Sequence, residues 1–343
     1  MSRFQYLVLV CLLGFLMALP PYSVDASLAA MPDMALGLAT SNSMVQLSLS
    51  AYFGGSVCGQ MVVGPLSDRF GRRPVLFVGL GVYILVVSGC ALATSINLLI
   101  GLRFIQGASV ATARIVPRAM ARDLYDREEA AQMLSLMTII GGTAPILAPI
   151  IGGHFTVWFG WQSVFWFMAV YAAVGLGLVL PFVRETLPPP MRMDLKLRRL
   201  AGNGWQILCN RSFRAYLACT SCAMGGLYAF LAGSSPVLIR YMGETPEQFG
   251  YDFAAVMVAY VLFSYIGGKL VVGMGIDRLL SFASLLAALS GLTMVGLALA
   301  GVATVWAVVL PMSGFMSAFA LIHPKATAGA LSPFPGMAGM ASS

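Results

Sequence analysis

Residues 130–183 read AAQMLSLMTIIGGTAPILAPIIGGHFTVWFGWQSVFWFMAVYAAVGLGLVLPFV and contain no Asp, Glu, Lys or Arg. An α-helix rises about 1.5 Å per residue and needs about 20 apolar residues to cross the hydrocarbon core of a membrane. The run is therefore long enough for two crossings, divided at Gly152-Gly153-His154 and Gly160-Trp161. Residues 279–323 form a second charge-free run, split near Gly301. The whole chain repeats the theme: of 343 residues, 59% are hydrophobic and 10% charged. Soluble domains sit near about 45–50% and about 25%. This composition excludes a soluble enzyme, a disordered chain and a disulfide-stapled secreted domain.

Cutting the remaining sequence at charges and turn residues gives spans near residues 6–31, 43–63, 74–92, 96–116, 216–239 and 253–272. With the two charge-free runs, that makes ten complete spans. The uncharged stretch at residues 4–24 is long for a signal peptide, and Ala18-Leu19-Pro20-Pro21 is a poor cleavage site, so it reads as a retained first span. With the N-terminus in the cytoplasm, all of the 20 Lys and Arg residues except Arg240 and the intramembrane Arg103 fall on the inner side. The net charge of +7 is thus topogenic, and no nucleic-acid-binding module is present. Residues 184–213, with Pro188-Pro189-Pro190, read as a cytoplasmic linker between a six-helix half (1–183) and a second half (214–343). The tail at residues 326–336 reads as the start of an eleventh helix that stops after about a dozen residues, short of a span, as in a chain shortened at its C-terminal end. Cys219-Thr220-Ser221-Cys222 lacks a second pair, and His154 and His323 lie far apart, so neither metal nor cofactor is expected.

Three loops and helices carry motifs. Gly64-Pro65-Leu66-Ser67-Asp68-Arg69-Phe70-Gly71-Arg72-Arg73-Pro74 joins helices 2 and 3. Its glycines permit a tight turn and its arginines hold the loop at the inner surface. Helix 4 carries Arg103-Phe104-Ile105-Gln106-Gly107. Helix 5 carries Ala144-Pro145-Ile146-Leu147-Ala148-Pro149-Ile150-Ile151-Gly152-Gly153, where proline and glycine bend and closely pack a helix. Together these resemble the signatures of the drug:proton antiporter branch of the major facilitator superfamily. Asp25 followed by Met31-Pro32 resembles the first helix of its Bcr/CflA multidrug-efflux subfamily. Gly268-Lys269-Leu270 and Gly275-Ile276-Asp277-Arg278 echo the 64–74 loop, as parallel repeats do.

The resemblance implies an all-α integral membrane bundle, normally of twelve helices. It implies a bacterial inner-membrane monomer that exchanges protons for a small-molecule substrate, uses the proton gradient and needs no cofactor. It further implies a conformational latch from Gly64, Asp68, Arg69, Gly71, Arg72 and Arg73, with Asp68 meeting Arg118 and Arg122 near Asp123. Pro145, Pro149, Gly152 and Gly153 form the antiporter motif.

Asp25 and Arg103 are ionisable groups inside spans, where charge is expensive and usually functional. Each sits about seven residues, roughly 10 Å, from the outer membrane surface. The expectation is that Asp25 carries the proton and a nearby Arg103 tunes it. Met17, Tyr22, Gln106, Met224, Tyr228 and Phe230 are candidates to line a substrate cavity. A transporter of one specific solute and a non-transporting membrane sensor are the alternatives. No convergent catalytic groups support an enzyme.

Overall fold

The computed structural model describes residues 3–188 and 210–331. Most of the expected linker, the region beyond Leu331 and Cys209 lie outside the described residues. The elements are helices α1 (Arg3–Met17), α2 (Leu19–Leu28), α3 (Met31–Gly37), α4 (Asn42–Phe70), α5 (Arg72–Ala91) and α6 (Ile96–Leu124). They continue as α7 (Arg127–Gly141), α8 (Ala144–Phe159), α9 (Gln162–Phe182) and α10 (Arg211–Ser235), which runs on into a wide π-type turn, Pro236–Tyr241. The last are α11 (Pro246–Met274), α12 (Ile276–Leu299) and α13 (Trp306–Leu331). Among the described residues, nine helical stretches are long and apolar enough to span a membrane, and α4 is a tenth long helix of 29 residues.

Proline explains where the first span departs from a single helix. Pro20 and Pro21 lack N–H donors and sit in the first positions of α2, and Pro32 does the same for α3. The fifth span likewise breaks at Gly142–Thr143, with Pro145 in the first turn of α8. Charged ends extend other helices beyond the apolar runs: α4 continues through Asp68 to Phe70, and α6 continues to Leu124. The tail corrects one expectation. Residues 326–331 continue α13 past Pro324 instead of opening an eleventh helix.

The described residues form two compact units. The first holds α1 to α9 and also takes in Thr245–Gly250, the beginning of α11. The second holds α10, the remainder of α11, α12 and α13. In the first unit α4 and α6 make the closest pairing. An added Cβ would lie 1.9 Å from the Phe104 carbonyl oxygen at Gly55, 2.2 Å from that of Ala108 at Gly59, and 1.9 Å from that of Tyr52 at Gly107. Only glycine lets the two backbones approach this far. The echo between the halves is visible in the backbone: Gly71 and Gly275, each between consecutive long helices, take positive φ of 102° and 75°.

Candidate functional site

Arg103 of α6 is 2% exposed, and its guanidinium lies among polar groups supplied by four helices. Nη1 donates to the Ser23 carbonyl at 2.9 Å and to Gln106 Oε1 at 3.0 Å. Nη2 donates to Ser27 Oγ at 3.2 Å. The Tyr52 ring lies 4.8 Å from the guanidinium carbon and the Phe165 ring 5.7 Å. Gln106 Nε2 donates to Tyr83 Oη at 3.3 Å, and Tyr83 Oη in turn pairs with Ser23 Oγ at 2.6 Å. The set is closed: every polar group facing the arginine is also held by another. A buried cation is tolerated on those terms, with hydrogen bonds and aromatic faces in place of water.

Asp25 is on the same turn of α2 but does not join this network. Ser23 and Ser27 are four residues apart and share a helix face, whereas Asp25, between them, falls on the opposite side. It is 8% exposed and makes no hydrogen bond or ion pair with any described residue. The depth expectation thus needs a correction in geometry. The acid and the guanidinium occupy one turn, but they are back to back across α2 rather than adjacent. An anion at Asp25 is uncompensated, while Arg103 is held by three hydrogen bonds.

The antiporter-motif glycines reach the same turn. A Cβ on Gly152 would stand 2.1 Å from the Ala26 carbonyl oxygen, the residue after Asp25. At Gly153 it would stand 2.3 Å from the Pro246 carbonyl oxygen, and Gly250 approaches the Pro149 carbonyl oxygen to 2.6 Å in the same sense. These small residues bring α8 against α2 on one side and against the start of α11 on the other.

At the other end of α4, Arg72 gathers the expected latch. Its Nη1 pairs with Asp68 Oδ1 and also donates to Ser67 Oγ at 2.7 Å, and its Nε pairs with Asp123 Oδ2 at 2.9 Å. Glu185, which no motif pointed to, accepts from the Arg72 and Arg73 backbone N–H groups at 2.9 and 3.2 Å. It caps the N-terminus of α5 as a carboxylate should. Arg73 donates to the Leu180 carbonyl, and Arg69 lies over the Phe70 ring. Gly71, with φ of 102°, makes the turn into α5. Gly64 has open space around it. Arg118 and Arg122 correct the expectation. Neither forms an ion pair with Asp68 among the described residues, because positions 118 and 122 share an exposed face of α6 while Asp123 faces Arg72. Arg72→Ala is therefore expected to lower stability by about 1–3 kcal/mol, and Arg118→Ala by less than about 0.5 kcal/mol. Thermal unfolding in detergent checks both.

The six cavity candidates scatter. Gln106 is spent on Arg103 and Tyr83. Tyr22 is buried against Phe167 and Tyr171, with ring centroids 5.6 and 5.0 Å away. Met17 packs against Gly141 at the end of α1. Tyr228 is exposed and Met224 partly so. Phe230 stacks on Phe253 at 5.5 Å. It also lines a cavity of ≈ 600 Å³ with Ser234, Met294, Met312 and Phe315 in the second unit.

The family model described as the Major Facilitator Superfamily matches residues 8–343. The chain belongs to the Major Facilitator Superfamily. Among curated relatives of this superfamily protein, the bicyclomycin resistance protein homolog of Haemophilus influenzae is 30% identical over 336 residues, covering 98% of this chain and 84% of its own. Multidrug resistance protein D of Escherichia coli is 28% identical over 341 residues, covering 99% and 85%. Solved structures agree in fold. A D-xylose–proton symporter superposes with a TM-score of 0.77 at 17% identity, over 99% of this chain and 87% of that one. A nucleoside transporter gives 0.79 at 13% identity, over 98% and 86%. The superfamily match and the curated relatives make this chain a multi-pass membrane transport protein.

Within that frame, sequence reading missed Ser23, Ser27, Tyr52 and Tyr83. Their signal was available as polar side chains at helical spacing inside otherwise apolar spans. Gly55-Ser56-Val57-Cys58-Gly59 also carries the G-x-x-x-G spacing of close membrane-helix packing.

Proposed function

We propose that this transporter is a proton-coupled antiporter that exports amphipathic small molecules, drugs among them. In this reading it works as a monomer in the bacterial inner membrane with its N-terminus in the cytoplasm, draws on the proton gradient and needs no cofactor. Asp25 is the proton carrier. Arg103 holds the turn that carries it. The observation behind this reading is the division of labour on one turn of α2: a buried carboxylate without a partner on one face, a guanidinium held by three hydrogen bonds on the other. The names of the relatives, which concern bicyclomycin and multidrug resistance, support the substrate class.

The coupling follows from charge. An unpaired anion in a low-dielectric interior is costly, and two events relieve that cost: uptake of a proton, or arrival of a substrate that brings a cationic or hydrogen-bond-donating group. The two compete for one carboxylate, so a proton entering from outside displaces cargo, and cargo entering from inside displaces the proton. Arg103 keeps α2 in register during that exchange through the Ser23 carbonyl and the Ser27 hydroxyl, and Gly152 lets α8 follow the same turn closely.

Proteoliposomes with an imposed pH gradient test the reading against an amphipathic cationic dye and a small drug panel. The expected result is movement of at least one compound against its own gradient, driven by opposite proton flow and abolished by a protonophore. Movement indifferent to the protonophore, or none across the panel, overturns it.

A further inference from the structure

A string of aromatic rings joins α8, α9 and α2 that neither the arginine network nor the latch uses. On α8, Phe155 and Phe159 are four residues apart and share a face. On α9, Phe167 and Tyr171 do the same. The rings meet in succession: Phe159 and Phe155 with centroids 5.9 Å apart, Phe155 and Phe167 at 5.5 Å, Phe167 and Tyr22 at 5.6 Å, Tyr22 and Tyr171 at 5.0 Å. The four interplanar angles are 64°, 59°, 69° and 46°, so no two of these rings lie face to face. The string ends where Tyr171 stacks on Phe15 at 3.9 Å and 10°.

One end of the string opens into a groove of ≈ 570 Å³ beside the α8–α9 joint, lined by Phe155, Phe159, Trp166 and Phe167 with Gln162. Phe159 and Trp166 are exposed there. In the orientation proposed above, this joint lies at the outer surface. The other end is buried. Tyr22 is 7% exposed, and its hydroxyl makes no hydrogen bond with any described residue. Asp25 is three residues further along α2, a spacing at which helix residues are neighbours on one face. Along α9, Tyr171 lies nine residues in from Gln162, roughly 13 Å. The aromatic belt of a membrane protein stays at the level of the head groups. This string continues inward, to the turn that carries a buried carboxylate without a partner.

We propose that the groove and its string of rings are a binding track for planar aromatic cations, leading between the membrane surface and the Tyr22–Asp25 turn. The face of an aromatic ring is electronegative, so it attracts cations and flat ring systems, which an aliphatic wall does not tell apart from lipid. Phe159 and Trp166 meet such a molecule at the surface. Phe155 and Phe167 hold its ring next, with faces that no other ring of the string covers. Tyr22 offers a hydroxyl with no other bond to make, one turn short of the carboxylate. The Phe15–Tyr171 stack has its facing sides already joined and closes the track beyond. A flat, ring-bearing cation is thereby selected over an aliphatic cation of equal charge. The Asp25 end of the track rests on the antiport reading, whereas recognition by the rings does not.

Binding of two probes to the purified full chain in detergent tests this without any transport assay: proflavine, a planar aromatic cation, by fluorescence anisotropy, and tetrabutylammonium, an aliphatic cation of the same charge, by equilibrium dialysis. Phe155→Leu and Phe167→Leu keep an apolar side chain and remove the ring. Each is expected to raise the Kd for proflavine about fivefold and to leave that for tetrabutylammonium unchanged. The same fivefold loss is expected when Phe167→Leu is placed on an Asp25→Asn background, so failure of the antiport reading and failure of the track are told apart. Thermal unfolding at the wild-type temperature shows that each variant is folded. Proflavine binding at wild-type strength in both leucine variants overturns the proposal. Equal weakening of the two probes overturns it too, as does the absence of saturable proflavine binding by the wild-type protein.

Discussion

Gly107→Val is expected to prevent stable folding. At Gly107 a bare Cβ already falls 1.9 Å from the Tyr52 carbonyl oxygen and 2.9 Å from the Ser56 nitrogen, both backbone atoms that cannot swing aside. Valine adds two methyl groups, so α4 and α6 must separate along their whole pairing. Overpacking and the loss of these close contacts together exceed about 4 kcal/mol, the upper range for a single change. Separation also withdraws Tyr52 from Arg103. Gly55→Val is expected to fail in the same way, against Phe104. Gly101→Ala on α6, with nothing within 4 Å of its added methyl, is the control and is expected to be neutral or slightly stabilising. Monodispersity and thermal unfolding after detergent extraction separate these outcomes.

Arg103→Lys is expected to keep the charge and lose the function. The guanidinium donates at once to the Ser23 carbonyl, Gln106 Oε1 and Ser27 Oγ, while its plane lies near two aromatic rings. An ammonium is a point donor on a flexible stem and cannot reproduce that fork. At least one buried acceptor is left unpaired, at about 1–3 kcal/mol. Arg103→Ala removes all three bonds and opens a cavity, and about 3–5 kcal/mol is expected. In proteoliposomes the lysine variant is expected to bind cargo yet lose at least about tenfold in gradient-driven rate, a change of about 1.4 kcal/mol in barrier. A lysine variant with wild-type coupling would detach Arg103 from the transport cycle.

The membrane spans were legible because hydrocarbon demands that backbone polar groups be satisfied internally, and an uninterrupted apolar run of about 20 residues meets that demand as helix. Their ends were less so. The cutting rule stops at the first charge, whereas α4 carries Asp68 and Arg69 and α6 carries Arg118, Arg122 and Asp123 beyond the apolar run. The depth of Asp25 and Arg103 could be counted along each helix. Which way each side chain faces could not, because rotation about α2 is set by what packs on it, here Tyr83, Gln106 and Arg103 on the Ser23–Ser27 face and Gly152 beside Ala26. Similarly, the loop motif named the residues at the inner surface but placed Asp68 at the centre. In the structure, Arg72 is the hub because it reaches both Asp68 and Asp123, and Glu185 arrives from just beyond the end of α9, far away in sequence. The proline breaks at Pro20, Pro32 and Pro145 were visible in the sequence but say only that a helix restarts, not at what angle.

The central claim is that Asp25 exchanges its proton for cargo. Proton release on addition of substrate, followed with a pH dye in weakly buffered detergent solution, measures this directly on wild-type protein and on Asp25→Asn. The expected result is stoichiometric release from the wild-type protein and none from the variant, which still binds substrate and still performs counterflow without a pH gradient. Equal proton release from both proteins would contradict the account.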